Sequence, residues 1–468
     1  MSSHKDSSKV GSWQPRQSKN GINLAPHQAV SHPAGLNHEL VQIPSTSIPN
    51  WGGMFVVDLK DKGMEIHNIS LQFNISRISG LSFTSVNNTV SPPITNQGTY
   101  VNAAFLPAWY LFSRIELVQN NVILDTIYSG EQFLVNNILY SDKERLAKNT
   151  AAGHYIQLQH RITKAQKTSD YIVNLHTLFD ESKIAIITQN HEVQLRIYMS
   201  SLSDVVCNVT SGLTVDDGTV YTITGTPYAT INFCNAIVKA TKLHKSGIAN
   251  VLNDQMKKQA HDHLFHDVRW GQYSLPYSVG APTTQQIVLT SIVGKVSALF
   301  FTVRNQSQLY NDRAFQYLPI ERYELLDATG TSLVGGQAIN AENNRKLLET
   351  WSASTYQEEI EGGVASGLIY NQNSGANVYV WSFSDDIVDS MRHGKAIGSH
   401  HFLGNEIIKL YLPDYSALSN FGYVNMHGNG IDMGTPTVSS MNGLQIDVWA
   451  FCQNFLHQEH GTVRKITL

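Results

Sequence analysis

The sequence predicts a mainly β protein of two tandem domains, each interrupted by short helices and the two joined by a helical connector. Three observations predict it. A chain of 468 residues is too long for one ordinary β-sandwich and long enough for two domains that each bury a core. The composition, 42% hydrophobic but only 15% charged, is rich in Asn, Gly, Ser, Thr and Tyr, which suits strands and turns. Finally, RIELV at 114–118 returns as RYELL at 322–326 within the same order of events. An alternating strand precedes each copy (IHNISLQFNIS at 66–76, VSALFFTVRNQS at 296–307), then a loop and an aromatic lead-in (AWYLF, FQYLP). A turn, a short strand and a helix follow each copy.

Residues 1–45 are polar, carry Pro and Gly breakers, and set Lys5, Lys9, Arg16 and Lys19 against the single acid Asp6. They read as a flexible N-terminal arm, either without a role or ordering on assembly. Four cations are too few to assert nucleic-acid binding. The first domain, 46–232, opens with MFVVDL at 54–59 and the strand at 66–76, where Ile66, Ile69, Leu71, Phe73 and Ile75 mostly alternate with polar residues as one buried face requires. Ile115 and Leu117 point to one side of the next strand and Arg114 and Glu116 to the other; Asn120-Asn121 turns the chain and VILDTI returns as a hairpin. Ser129 and Gln132 have the spacing of a capping box, opening a helix through EQFLVNNILYSDKERLAKN with Phe133, Leu134, Ile138 and Leu146 as its stripe. Further strands are YIVNLHTL, IAIITQ at 184–189, VQLRIYMSSL and VYTITG.

Residues 233–265 place Ile237, Ala240, Leu243, Ile248, Val251, Leu252, Met256 and Leu264 mostly three and four apart, which predicts the helical connector. The second domain, 266–468, repeats the order: a strand pair, RYELL, a turn at Asp327–Gly330, the returning SLV, and a helix through AINAENNRKLLETW. NVYVWSF and EIIKLYLP are strands around a short helical turn at Asp385–Met391, and the chain closes with a strand followed by an exposed tail.

Composition excludes several functions. A net charge of -4 gives no overall pull toward nucleic acid or anionic membrane. Cys207, Cys234 and Cys452 are odd in number and far apart, against a disulfide framework and in keeping with a reducing compartment. No secretory signal is expected at the N-terminus, so the sequons at Asn68, Asn74, Asn87, Asn208 and Asn305 read as unmodified. The most apolar long window, 287–303, contains Lys295 and alternates too much for a membrane span.

His261, Asp262, His263, His266 and Asp267 in HDHLFHD could converge on zinc from a loop, but the expected reading is polar residues at the fraying end of the connector helix, since short motifs match by chance. His400-His401 beside Asp385-Asp386 lacks the spaced His-x-His and Glu of a cupin metal site. Glu358, Glu359 and Glu361 could serve as paired carboxylates, yet they read as a loop charge run ended by Gly362-Gly363. There is no Gly-x-Ser-x-Gly elbow and no Walker loop. Trp109, Trp270, Trp351, Trp381 and Trp449 could stack sugars, but their strand and helix settings favour core packing. The expectation is no catalytic residue, no metal and no cofactor.

Three stretches carry a family resemblance: IVGKVSALFFTVRNQ, then WSFSDDIVDSMRHGKAIGSHHFLGNEIIKLYL, then VWAFCQNFLHQEHG. In the second, Phe383-Ser384 leads through Asp385-Asp386 to Gly398, Phe402 and the alternating Ile408, Leu410 and Leu412; in the third stand Asn454, Leu456 and Gly461. Over residues 50–468 the chain resembles the double jelly-roll major capsid proteins of icosahedral double-stranded DNA viruses, of the virophage, polinton-like and large nucleocytoplasmic types. The resemblance implies two tandem eight-stranded jelly rolls and a homotrimeric, pseudo-hexameric capsomer that tiles an icosahedral shell. It further implies a virion location after synthesis inside the host cell. Its partners would be neighbouring capsomers, penton and minor capsid proteins, and an inner membrane or the genome through the arm. The alternative is a carbohydrate-binding or fibre-type β-sandwich virion protein, with a cupin-like metal enzyme a distant third.

Overall fold

The computed structural model describes residues 36–60, 65–87, 92–153, 158–182, 192–208, 219–243, 261–277, 283–305, 318–340, 378–413 and 443–467, with short gaps inside the last three of the longer stretches. Up to the second half the strands are β1 (Leu36–Pro44), β2 (Met54–Asp58), β3 (Glu65–Ile75), β4 (Ser79–Asn87), β5 (Ile94–Thr99), β6 (Ala103–Phe105), β7 (Phe112–Gln119), β8 (Val122–Tyr128), β9 (Ser169–Asn174), β10 (Val193–Met199), β11 (Val206–Asn208), β12 (Thr219–Tyr228) and β13 (Ile231–Leu243). Between them run helices α1 (Glu131–Leu139), α2 (Asp142–Ala151), α3 (Leu158–Ala165), α4 (Leu178–Ser182) and α5 (Leu202–Val205). The second half adds β14 (His261–Leu275), β15 (Thr283–Val288), β16 (Val293–Asn305), β17 (Arg322–Leu326), β18 (Ile339–Asn340), β19 (Val378–Ser382), β20 (His400–Leu403), β21 (Ile407–Leu412), β22 (Leu444–Glu459) and β23 (Thr462–Thr467).

Four sheets hold these strands in a duplicated order. The first roll pairs β1-β13-β3-β9 in one sheet and β2-β10-β7-β8 in the other; the second pairs β14-β22-β16-β19 and β15-β21-β17-β18. The eight strands of these two first-roll sheets each have a counterpart at the same place in the second roll, with antiparallel neighbours throughout, and β20 and β23 are added to the β14-β22-β16-β19 sheet. Even a bulge recurs. The register slips by one extra residue on β3 near Asn68, which takes φ 51, and on β16 at Ser297. The first roll also carries a projecting sheet, β12-β4-β5, and the pair β11-β6.

The repeated pentapeptides sit on counterpart strands, β7 and β17, with Ile115, Leu117, Tyr323 and Leu325 buried as their alternation predicts. The window 287–303 is strand and turn, and VGKVSALFFTVRN is apolar in succession because β16 is covered on both faces. Val296, Leu299, Phe301 and Val303 face the core of the second roll, while Ala298 and Phe300 face a cluster shared with the first. The turn after β17 is as expected: the Gly330 N–H donates to the Asp327 carbonyl at 3.0 Å.

Several expectations are corrected. The helical connector at 233–265 is strand over 231–243 and 261–275; the rest of it lies outside the described residues. In β13 the inward set is Cys234, Ala236, Val238 and Ala240, small side chains whose period of two is easily overlooked beside the helix-like spacing of Ile237, Ala240 and Leu243. The arm does not reach residue 45, because Leu36–Pro44 pairs with β13 along nine residues. The exposed tail is β23, which folds back on β22. The helix after the first hairpin is two: α1 follows Gly130, with Glu131 accepting the Tyr128 N–H at 2.9 Å, so Ser129 is not its cap. α2 opens at Ser141, whose N–H and hydroxyl both donate to Glu144. Ile339–Asn340 is strand, and the helix expected through 341–351 lies outside the described residues, as does the strand at 184–189.

Candidate functional site

Alternation along β14 decides the fate of the His/Asp run. Successive side chains of a strand leave on opposite sides, so these groups are distributed over two faces. Asp262 pairs with His457 Nδ1 at 2.7 Å, and His263 and His266 are buried. Asp267 is held by Lys465 of β23 at 2.7 Å, by Arg269 at 3.3 Å and by the Asn454 amide at 3.3 Å. Among the described residues no group of three or more His, Cys, Asp or Glu is placed to hold a metal. His400 stacks on Phe383 at 5.3 Å between ring centroids, and His401 of β20 lies opposite Lys295 of β16. Asp385, Asp386, Glu358, Glu359, Glu361 and Trp351 lie outside the described residues.

The cysteines and tryptophans are structural where they are described. Cys207 is on β11, and Cys234 and Cys452 are buried, which pushes both thiols up, Cys452 to about 12. Trp109 and Trp449 are buried, and Trp270 and Trp381 are partly covered by apolar neighbours.

What the chain does build is a junction between its rolls. The outer face of β14-β22-β16-β19 presents Val268, Trp449, Phe451, Phe300, Ala298, Val378 and Val380 to the same apolar cluster that fills the first roll. Strand β8 and helix α4 cover it: Trp270 meets Tyr128 at 5.4 Å between centroids, and α4 packs on β14 while Asp180 accepts the Asn68 N–H at 2.9 Å. Burial raises the Tyr128 hydroxyl pKa, and the Glu131 and Asp267 carboxylates add to it. At one end of the face Asp447, wholly buried, accepts from Arg304 Nε at 2.9 Å and from Gln445 at 3.1 Å, so its charge is neutralised where water is excluded.

A second constellation is duplicated. On the outer face of the other sheet in each roll an Arg, a Glu and a cross-strand Tyr interlock. Arg114 lies 4.0 Å from the Tyr198 ring centroid and 2.8 Å from Glu116, which accepts the Tyr198 hydroxyl at 3.0 Å. Arg322 lies 4.1 Å from the Tyr411 ring, and Glu324 accepts the Tyr411 hydroxyl at 2.6 Å. Arg196 and Lys409 occupy matching places opposite Glu116 and Glu324. The repeat of Arg and Glu in RIELV and RYELL is the sequence trace of this arrangement; the tyrosines, on β10 and β21, carry no such trace. In each roll the arrangement fixes the register between the two paired strands.

No family model and no curated protein matches the chain. Solved structures do. PBCV-1 VP54, fitted into a cryo-EM reconstruction of the virophage Sputnik, matches at 13% identity over 93% of this chain and 98% of that one, with a TM-score of 0.60. A quasi-atomic model of the PBCV-1 virus capsid matches at 12% identity over 93% and 98%, TM-score 0.58. The Faustovirus major capsid protein matches at 11% identity over 91% of each chain, TM-score 0.57. With the duplicated strand order above, these likenesses show that the chain has the double jelly-roll fold.

Proposed function

We propose that this protein is a viral major capsid protein, located in the virion and assembled from homotrimeric, pseudo-hexameric capsomers that tile an icosahedral shell. The observation that carries the reading is the one-to-one duplication of eight strands in a single chain with a fold shared by capsid proteins. Two like rolls per chain give three chains six like bodies, the outline that packs a hexagonal net. Neighbouring capsomers would be its first partners, with penton and minor capsid proteins completing the shell and the arm reaching membrane or genome. A low formal charge of -4 suits contacts between like surfaces, where strong net repulsion would oppose assembly. No enzymatic role is assigned.

The fibre or carbohydrate-binding alternative needs exposed aromatic platforms. Trp109 and Trp449 are instead buried and Trp270 lies in the roll junction, which favours the capsid reading. Light scattering of the full chain at neutral pH tests the assembly state. A compact particle of three chain masses supports the proposal; a stable monomer that binds glycan arrays overturns it.

A further inference from the structure

The sheets built on β13 and β22 differ at one end. In the first roll β3 stays beside β13 from Ile231 to Thr241. In the second, β16 stays beside β22 only from Leu444 to Cys452. Beyond that point the same edge of β22 is taken by β23, from Asn454 opposite Thr467 to Glu459 opposite Thr462. At the changeover the Gln453 amide donates to the Ser297 hydroxyl at 2.7 Å. Since β14 keeps to the other edge of β22 throughout, β14, β22 and β23 form a three-stranded extension that runs past the end of β16.

Residues directly opposite one another on paired strands send their side chains to the same side, so Asp267 and Cys452, Phe265 and Asn454, and Leu456 and Lys465 share one face of this extension. That face passes from one core to the other. Cys452, beside Val296, belongs to the second roll's own cluster, whereas Phe265 and Leu456 are wholly buried in the cluster that fills the first roll. Both β14 and β23 lie against β8. The second roll therefore reaches past its own end to grip the first.

Asp267 stands where the face changes core. Its side chain is 8% exposed, and Lys465, 22% exposed, reaches over β22 to meet its Oδ1 at 2.7 Å. The ammonium lies 5.6 Å from the Phe265 ring centroid. One ion pair thus joins the two outer strands of the extension across the middle one, with the lysine stem beside an apolar ring. Arg269 and the Asn454 amide both hold Oδ2, so the carboxylate keeps partners when Lys465 is removed. Arg464 and Ile466, on the other face of β23, are exposed, and the strand is fastened by one face alone.

We propose that β23 is a strap: through Lys465 it closes on Asp267, holds β8 of the first roll against the second, and makes one body of the two rolls. The apolar junction supplies the contact and the strap fastens it. Opening of the strap is a local event that frees β8 while both rolls stay folded.

Hydrogen exchange of the full-length protein, followed strand by strand, tests this. Lys465→Met keeps the stem and removes the charge, and Arg464→Met changes the exposed face of the same strand. In K465M the amides of β23 and β8 should both exchange about tenfold faster, the loss expected for a hydrogen bond between charged groups, while those of β10 and β21 keep wild-type rates. R464M should match wild type throughout. If K465M does not fold, Lys465→Gln is read the same way. Faster exchange in β23 with β8 unchanged overturns the strap and leaves a local hairpin. An equal rise in all strands of both rolls overturns it as well, since Lys465 would then act on overall stability, and so does exchange unchanged everywhere.

Discussion

Arg322 stands 4.1 Å from the ring centroid of Tyr411 in the second roll as Arg114 stands 4.0 Å from Tyr198 in the first. Two rolls with little wording in common thus keep one cross-strand contact at the same place in the same sheet. Because each Tyr also donates to the Glu two residues beyond the Arg, the contact fixes which residue of β10 or β21 lies opposite which residue of β7 or β17.

Arg322→Ala should therefore cost about 0.5–1 kcal/mol, as for a cation–π pair at an exposed site, and Arg114→Ala more, because Arg114 also bonds Glu116 at 2.8 Å. Since the two sites lie in different rolls, the double variant should lose the sum. Urea unfolding of the three variants measures this, and strong non-additivity would contradict the separation of the sites.

Phe300 joins the rolls rather than filling one of them, meeting Phe451 edge-on at 5.2 Å within the shared cluster. Phe300→Ala is expected to cost about 3–5 kcal/mol. It should also divide calorimetric unfolding into two transitions, one per roll. Phe301→Ala, its neighbour facing the second roll's own core, should weaken that roll without uncoupling it. A single transition in the Phe300 variant would count against the junction as the coupling element.

The strand reading was legible wherever one face met water. β3, β7, β10 and β17 alternate plainly, and the Arg-x-Glu repeat pointed to the duplication because the same neighbours act on it in both rolls. Legibility failed where that condition failed. β13 buries small residues and shows a large Ile237 on its other face, so its pattern imitates a helix. β16 and β22 are apolar on both faces, which hides their period. The roll junction could not be read at all, since Tyr128 and Trp270 are joined only by the fold; yet the contrast of LQFN in β3 with LFFT in β16 is visible in the sequence and signals the covered face of the second roll.

The turn between β17 and the returning segment predicts a pH dependence. Asp327 accepts from the Thr329 hydroxyl at 2.7 Å and from the N–H groups of Thr329 and Thr331, each at 2.8 Å, and these bonds hold its pKa below the ordinary 3.8. A carboxylate with a depressed folded pKa contributes stability above its unfolded value and loses it as pH falls through the folded one. The stability gap between wild type and Asp327→Asn should be level from about pH 7 to about pH 5 and close below about pH 4. A gap that stays level into strong acid would show that the charge contributes nothing.

The role proposed for the arm would separate assembly from folding. Deletion of residues 1–40 would remove half of β1, so the informative truncation stops at residue 35. That variant should form trimers as wild type does and fail in higher assembly, measured by sedimentation under conditions where the full chain makes shells. Loss of the trimer would refute this division.

The central claim is that a chain of two like rolls builds a capsomer of three. Negative-stain electron microscopy of the purified full-length protein tests it most directly. The account predicts particles of hexagonal outline with three chains each, of three times the 52.0 kDa chain mass. A field of single, two-lobed chains at every concentration would contradict it.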